Sequence, residues 1–218
     1  MSFSVPLGSG RDADVFAIDA ERVLRRYRGD MDVAAEAAVM AYLAEHGFPV
    51  PAVYHAAGTD LVMRRVPGPT LLTALLTTEV DVSSAAGVLA DLHHRLRRVP
   101  ARTSRDPALR VLHMDLHPGN VLLGPDGPVL IDWRNSADGA PDLDAAMTAL
   151  ILAQAAVGDE HDLLVTARAL LPAFLDAVGG EPQRELARAV ALRGADANLT
   201  HREVIALPRA EELVRGHR

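Results

Sequence analysis

The chain has 218 residues, enough for one large domain or two small lobes, and 49% of them are hydrophobic, so a sizeable core is available. Cysteine is absent, which removes disulfides, zinc–thiolate sites and thiol catalysis, and the N-terminal MSFSVPLGSG lacks the basic and apolar regions of a signal peptide. A formal net charge of −7 with 4% aromatics argues against a nucleic-acid partner and would favour a cationic one, and the longest nearly apolar stretch (Ala145 to Val157, containing Thr148 and Gln154) is too short to cross a bilayer, so the expectation is a cytoplasmic protein with no membrane span.

Residues 3 to 27 read as short strands, with Gly8-Ser9-Gly10 as a turn between two of them. In Glu21 to Tyr27, Val23 and Arg25 share one strand face and Leu24 takes the other; Arg22 and Arg26 read as solvated charges. All 22 residues of the Lys+Arg count are Arg. Asp30 can cap a helix from about Met31 to Glu45, with Glu36 in its second turn, and Gly47, Pro49 and Pro51 enforce its stop. Residues 52–57 and 61–65 form another strand pair turning at Gly58-Thr59-Asp60. Val66-Pro67-Gly68-Pro69 is the candidate hinge. Beyond it the pattern is helical: a short helix at 71–76, a longer one opened by Asp81 and running to Arg97, and an Arg- and Pro-rich surface linker over 98–110. Residues 145–215 read as amphipathic helices broken at Gly158, Gly179-Gly180-Glu181-Pro182 and Leu207-Pro208. No signal for an oligomeric state is present.

Between 113 and 135 the chain reads HMDLHPGNVLLGPDGPVLIDWRN. Val121-Leu122-Leu123 and Val129-Leu130-Ile131 flank Gly124-Pro125-Asp126-Gly127, which has turn chemistry, so a hairpin is expected. A hairpin returns the chain to its start and should bring Asn120 and Asp132 together near Asp115. Three oxygen-bearing side chains there suit a hard cation such as magnesium, with one residue left for proton or hydroxyl handling. His113 and His117, at i and i+4, suggest a transition-metal pair as an alternative, but no third ligand is evident and Pro118-Gly119 argues against a helix.

H-x-D-x-x-x-x-N followed by an apolar-apolar-Asp-aromatic step resembles the kinase catalytic core, and its wording here, LHMDLHPGNVLL and LIDW, resembles the aminoglycoside phosphotransferase and choline kinase-like family. The resemblance implies an α+β, two-lobed protein kinase-like fold, with a nucleotide-binding lobe over 1–65 (five antiparallel strands and one helix) and a helical catalytic and substrate lobe over 66–218. It implies that Asp115 handles the acceptor hydroxyl and that Asn120 and Asp132 hold Mg2+ on the phosphates of ATP, with GTP as the other donor. Gly8, Gly10 and Val15 fit G-x-G-x-x-G-x-V, with Ser9 between the glycines and Ala13 at the third Gly; Arg25 stands where the phosphate lysine belongs, with Glu36 as its partner. Met63 against the base, Arg64 and Val66 through their backbone, and Leu122 and Ile131 complete the nucleotide set. Gly139, Pro141 and Asp144 match G-x-P-x-x-D, which makes Asp144 a helix cap that fastens the catalytic loop, and puts Asp142 near the substrate. The expected reaction moves a γ-phosphoryl to a hydroxyl of a small, polar or cationic acceptor, such as an antibiotic, amino alcohol or sugar. The missing Lys raises the alternative of a catalytically silent nucleotide-binding protein; a compact atypical protein kinase is a third reading.

Overall fold

The computed structural model describes residues 6–29 and 32–217. Nine short strands and seven α-helices are found among them, and the chain divides into two compact units. The first comprises residues up to Gly68 together with Leu122–Arg134; the second comprises Pro69–Val121 and Asn135–Arg218. The split therefore falls at 68/69 and not at 65/66. Residues 122–134, expected in the helical lobe, group with the sheet.

The first unit holds a five-stranded antiparallel sheet built from β1 (Gly8–Ser9), β2 (Ala13–Ala17), β3 (Arg22–Tyr27), β4 (Val53–Ala57) and β5 (Asp60–Arg64), in the order β1-β2-β3-β5-β4. Register places Val15 and Leu61 on either side of Arg25. Helix α1 (Ala34–Glu45) follows β3 and buries Glu36, Val39, Met40 and Leu43. It starts later than expected, with Val33 at the N-cap and the Asp32 carboxylate accepting from Ala34 N–H, so Glu36 lies in the first turn. Asp30 and Met31 lie outside the described residues. The hairpin of β7 (Val121–Gly124) and β8 (Gly127–Leu130) joins this unit through Leu130 N–H donating to the Pro49 carbonyl and through Phe48 meeting Trp133 edge-on. Gly68 has φ +126°, and a Cβ there would sit 2.0 Å from the Leu123 carbonyl oxygen, so only glycine lets this segment lie against the hairpin.

In the second unit, Thr70 and Asp81 cap α2 (Leu71–Leu76) and α3 (Val82–Leu96) by accepting from Thr73 and Ser84 N–H. A two-stranded ribbon of β6 (Arg110–Leu112) and β9 (Ala137–Gly139), too short to show in the sequence pattern, brackets the segment from His113 to Ser136. Helix α4 (Pro141–Ala156) is buried nearly all round, between α5 (His161–Val178), α6 (Pro182–Gly194) and α7 (His201–Arg215). Pro208 does not break α7, as the sequence suggested. Burial of Leu207, Ala210 and Val214 holds the helix through the lost backbone bond. The break falls instead at 195–199, before a Thr200–Glu203 capping box. No helix of the described residues is long and apolar enough to cross a membrane.

Candidate active site

The charged network of the first unit is built on adjacent positions of β3 and α1. Alternation along β3 turns Arg25 toward α1, where Nη1 meets Glu36 Oε1 at 3.2 Å; Nη2 meets Asp132 Oδ2 at 2.6 Å. Glu36 is 5% exposed and fully used: Oε1 also accepts from Trp133 N–H at 3.2 Å, and Oε2 accepts from the Tyr27 hydroxyl at 2.6 Å. Burial pushes the Glu36 carboxyl above its ordinary range, against the pull of Arg25 and Tyr27. Burial also pulls on Arg25, but Asp132 and Glu36 outweigh it and hold the guanidinium above its usual value. Arg25 thus presents a separate nitrogen of one planar fork to each carboxylate, where a lysine would offer both the same ammonium. Asp132 sits at φ +68°, a left-handed position that a non-glycine residue holds only when its surroundings fix it.

The remaining nucleotide candidates in this unit are placed as follows. Gly8 and Ser9 are in β1, Gly10 opens the turn and Val15 lies across from Arg25. A Cβ at Gly8 would meet nothing within 4 Å and one at Gly10 only the Ala13 carbonyl at 3.6 Å, so packing does not demand either glycine. Ser9 donates to Asp14, which also pairs with Arg28, and Asp12 pairs with Arg134 at 2.6 Å, so the turn is anchored by ions on both flanks. Met63 is buried in β5, and Leu122 and Ile131 are half-buried on the hairpin. Arg64 N–H donates to the Ala52 carbonyl at 2.8 Å within the sheet, so of the backbone groups expected to meet the base its N–H is engaged.

The second unit brings Asp115 and Asn120 together. Asn120 Nδ2 donates to the Asp115 carbonyl at 2.9 Å and approaches its Oδ2 at 3.4 Å. The loop that aims Asp115 is fastened from α4. Asp144 Oδ1 accepts from His113 N–H (3.1 Å) and from Met114 N–H (2.7 Å), which stabilises Met114 at φ +65°. Asp144 is not the helix cap; Ala140 occupies that position. Burial pushes the Asp144 carboxyl up to about 6, and its Oδ2 has no hydrogen bond, facing His93 Nδ1 at 3.5 Å. Thr148 Oγ1 donates to the Leu116 carbonyl at 2.7 Å and so must accept from His93 Nε2 at 3.0 Å. That fixes the tautomer, and burial holds His93 neutral by moving it down to about 3. Asp142, expected near the substrate, accepts from Arg97 Nη2 at 3.0 Å and from Glu181 N–H at 3.1 Å, tying α3 to the start of α6.

The convergence expected of Asp115, Asn120 and Asp132 thus divides between the units, Asp132 with Arg25 and Glu36, Asn120 with Asp115. Each unit by itself offers an oxygen of the kind a hard cation takes. The amide nitrogen of Asn120 is engaged and its Oδ1 has no partner among the described residues, while Asp132 engages one oxygen and leaves the other. The histidine alternative does not fit, since His113 Nδ1 accepts from Asp115 N–H and His117 Nδ1 from Gly119 N–H, and no cluster of three or more His, Cys, Asp or Glu suited to a metal exists among the described residues.

Arg193, on α6, was not anticipated. Its Nη1 lies 3.4 Å from Asp115 Oδ1 and its Nε donates to Gln154 Oε1 at 3.1 Å. The available signal was Gln154 and Thr148 interrupting the apolar run of α4: one holds Arg193, the other buttresses the residue after Asp115.

A sheet with one helix, joined to a helical unit that carries H-x-D-x-x-x-x-N, defines the kinase-like class of α+β folds. The phosphotransferase enzyme family model (APH) matches residues 4–110 and 85–185, and the chain belongs to that family. No curated protein sequence matches it. Among solved structures, the gentamicin complex of APH(2'')-IIa is 14% identical with TM-score 0.60, over 98% of this chain and 91% of that one. A choline/ethanolamine kinase family protein from Mesorhizobium loti is 15% identical with TM-score 0.63, over 96% and 87%. ADP-bound APH(2'')-Ib is 13% identical with TM-score 0.59, over 99% and 93%. At these identities the likeness is one of fold.

Proposed function

We propose that the enzyme transfers the γ-phosphoryl of ATP to a hydroxyl of a small molecule, with the sheet unit binding nucleotide and the helical unit presenting Asp115 to the acceptor. The observation that carries this reading is Arg25 forked between Glu36 and Asp132, an arrangement suited to holding phosphate oxygens in place. It also weakens the ground for a silent protein, because Arg25 makes the pair with Glu36 that was expected of the absent lysine. APH(2'')-IIa has been solved with streptomycin and ATP, and a thermostable mutant of APH(4)-Ia with AMP-PNP and hygromycin B, which supports an adenine nucleotide as donor and a polyhydroxylated small molecule as acceptor.

In this reading Asn120 and Asp132 would be the residues to hold Mg2+, which would neutralise charge on the phosphates. Asp115 accepts the hydroxyl proton as the acceptor oxygen forms its bond to the γ-phosphorus; the bond from that phosphorus to the β–γ bridging oxygen breaks, and ADP leaves with the electron pair. Asn120 holds the Asp115 loop in register, and Arg25 steadies the phosphates. Catalysis is then positioning and charge stabilisation. Calorimetry with ATP and GTP, each with and without Mg2+, tests the donor half: magnesium-dependent ATP binding is expected, and its absence for both nucleotides would overturn the reading.

A further inference from the structure

Arginine in the last turn of a helix usually serves the helix dipole from solvent. Arg193 does not: its side chain is 14% exposed and turned onto Asp115 and Gln154. We propose that Arg193 is the residue that selects the acceptor, and that the acceptor is a hydroxyl compound carrying an anionic group, a carboxylate or a phosphate. This rests on the reading of Asp115 as the residue that receives the acceptor hydroxyl.

Three observations carry it. First, the guanidinium is built in. Gln154, 8% exposed in an otherwise Ala- and Leu-rich stretch of α4, accepts from Arg193 Nε and donates through Nε2 to the Glu203 carbonyl at 3.0 Å. Side chains and backbone of three helices therefore fix the orientation of one cation, and a buried amide is a costly residue to keep unless its orientation matters. Second, Arg193 is not consumed by Asp115. Their contact is 3.4 Å, at the outer limit of a hydrogen bond, whereas Arg25 and Asp132 meet at 2.6 Å. Among the described residues, two of its five N–H donors have partners, so a planar fork remains for an oxyanion. Third, position decides what it meets: any hydroxyl presented to Asp115 brings its neighbouring substituents within reach of Arg193. A carboxylate or phosphate there gains a paired cation. An ammonium there meets like charge, so Arg193 reverses the preference for cations that the net charge of −7 suggested.

The test uses the full chain with Mg-ATP and acceptor sets that share one skeleton: glycerol, serinol, glycerate and glycerol 3-phosphate, then glucose, glucosamine, gluconate and glucose 6-phosphate. ADP formation is followed for the wild type, Arg193→Gln and Arg193→Lys. The anionic members are expected to be preferred. In Arg193→Gln the ratio of kcat/KM for the anionic over the neutral member should fall about 100-fold, mostly through KM, and Arg193→Lys should restore part of it. The carboxylate and phosphate arms separate the two sources of charge. In parallel, calorimetry of glycerate, gluconate and the two phosphate esters without nucleotide should show binding to the wild type that Arg193→Gln loses. Better turnover of a neutral or amino member, an equal fall for all members in kcat alone, or anion binding indifferent to Arg193 would each overturn the proposal while leaving phosphotransfer standing. Failure of the phosphotransfer reading shows separately, as loss of magnesium-dependent nucleotide binding.

Discussion

In the sheet unit, Arg25 and Asp132 meet at 2.6 Å and the buried Glu36 spends both carboxylate oxygens on three donors. Around Asp115, by contrast, side-chain contacts to the carboxylate begin at 3.4 Å. The difference is between charges that compensate one another and a charge left available. Phosphate-binding groups meet the same ligand in every turnover and gain from being fixed in advance. A residue that must receive an acceptor hydroxyl needs an open oxygen, and its neighbours are where one family member can differ from another.

The largest expected effect separates the two regions. Asp115→Ala should lower kcat by about 10³-fold, within the range for loss of a positioned proton acceptor, with Mg-ATP affinity little changed. Parallel loss of nucleotide binding in calorimetry would show that the regions are not separable in this way. Next comes Glu36→Ala, which strands the Arg25 guanidinium, the Tyr27 hydroxyl and the Trp133 N–H without their acceptor. Removing one partner of a buried charge pair costs about 3–5 kcal/mol, to be read from denaturant unfolding. A loss under about 1 kcal/mol would mean that water replaces Glu36 easily, and the contrast with Asp115 would fail.

A smaller effect tests the fastening of the Asp115 loop. Asp144 is raised from the ordinary carboxylate range to about 6 in the folded protein, so the folded state binds its proton more tightly than the unfolded state. Its contribution to stability is therefore full only below the unfolded value of 3.8 and is lost as pH rises through about 6. Because Asn at 144 keeps the acceptor for His113 and Met114 N–H and does not titrate, the stability of the wild type minus that of Asp144→Asn should fall by about 2 kcal/mol between pH 4 and pH 7. A difference that is flat or rises with pH would place the proton elsewhere in the His93–Asp144 pair.

What could be read from the sequence follows a physical line. Gly58-Thr59-Asp60 and Gly124-Pro125-Asp126-Gly127 encode their turns locally, and Asp81 its cap, so these elements fell where expected. The Arg25–Glu36 pairing was legible through the family resemblance, which makes a helix glutamate the partner of the residue at Arg25. The β6–β9 ribbon was not, since three-residue strands carry no period. Pro208 misled because local propensity predicts a break and tertiary burial outvotes it. The T-H-R-E box at 200–203 was there to be read and marked the true helix start. Asp142 and Arg193 lay beyond reach for a different reason: an acidic residue near a helix start and a basic one near a helix end both have sufficient local explanations, and only packing shows that they bond across helices.

The smallest effect concerns the one place where this chain departs from the kinase pattern in the tight region. Arg25→Lys restores the usual residue, yet a single ammonium cannot reproduce contacts made by Nη1 to Glu36 and by Nη2 to Asp132. The guanidinium also lies 4.8 Å from the centroid of the Tyr27 ring, a stacking contact a lysine makes less well. Stability should fall by roughly 1–2 kcal/mol, since one charged hydrogen bond is lost while charge balance is kept. Mg-ATP affinity should change by less than about tenfold, one lost contact's worth, because a lysine still reaches phosphate oxygens. Glu36 and Asp132, placed for a fork, then compete for one ammonium. If Arg25→Lys instead matches or exceeds the parent in both measurements, the fork is not what organises this cluster, and its shortness reflects charge alone.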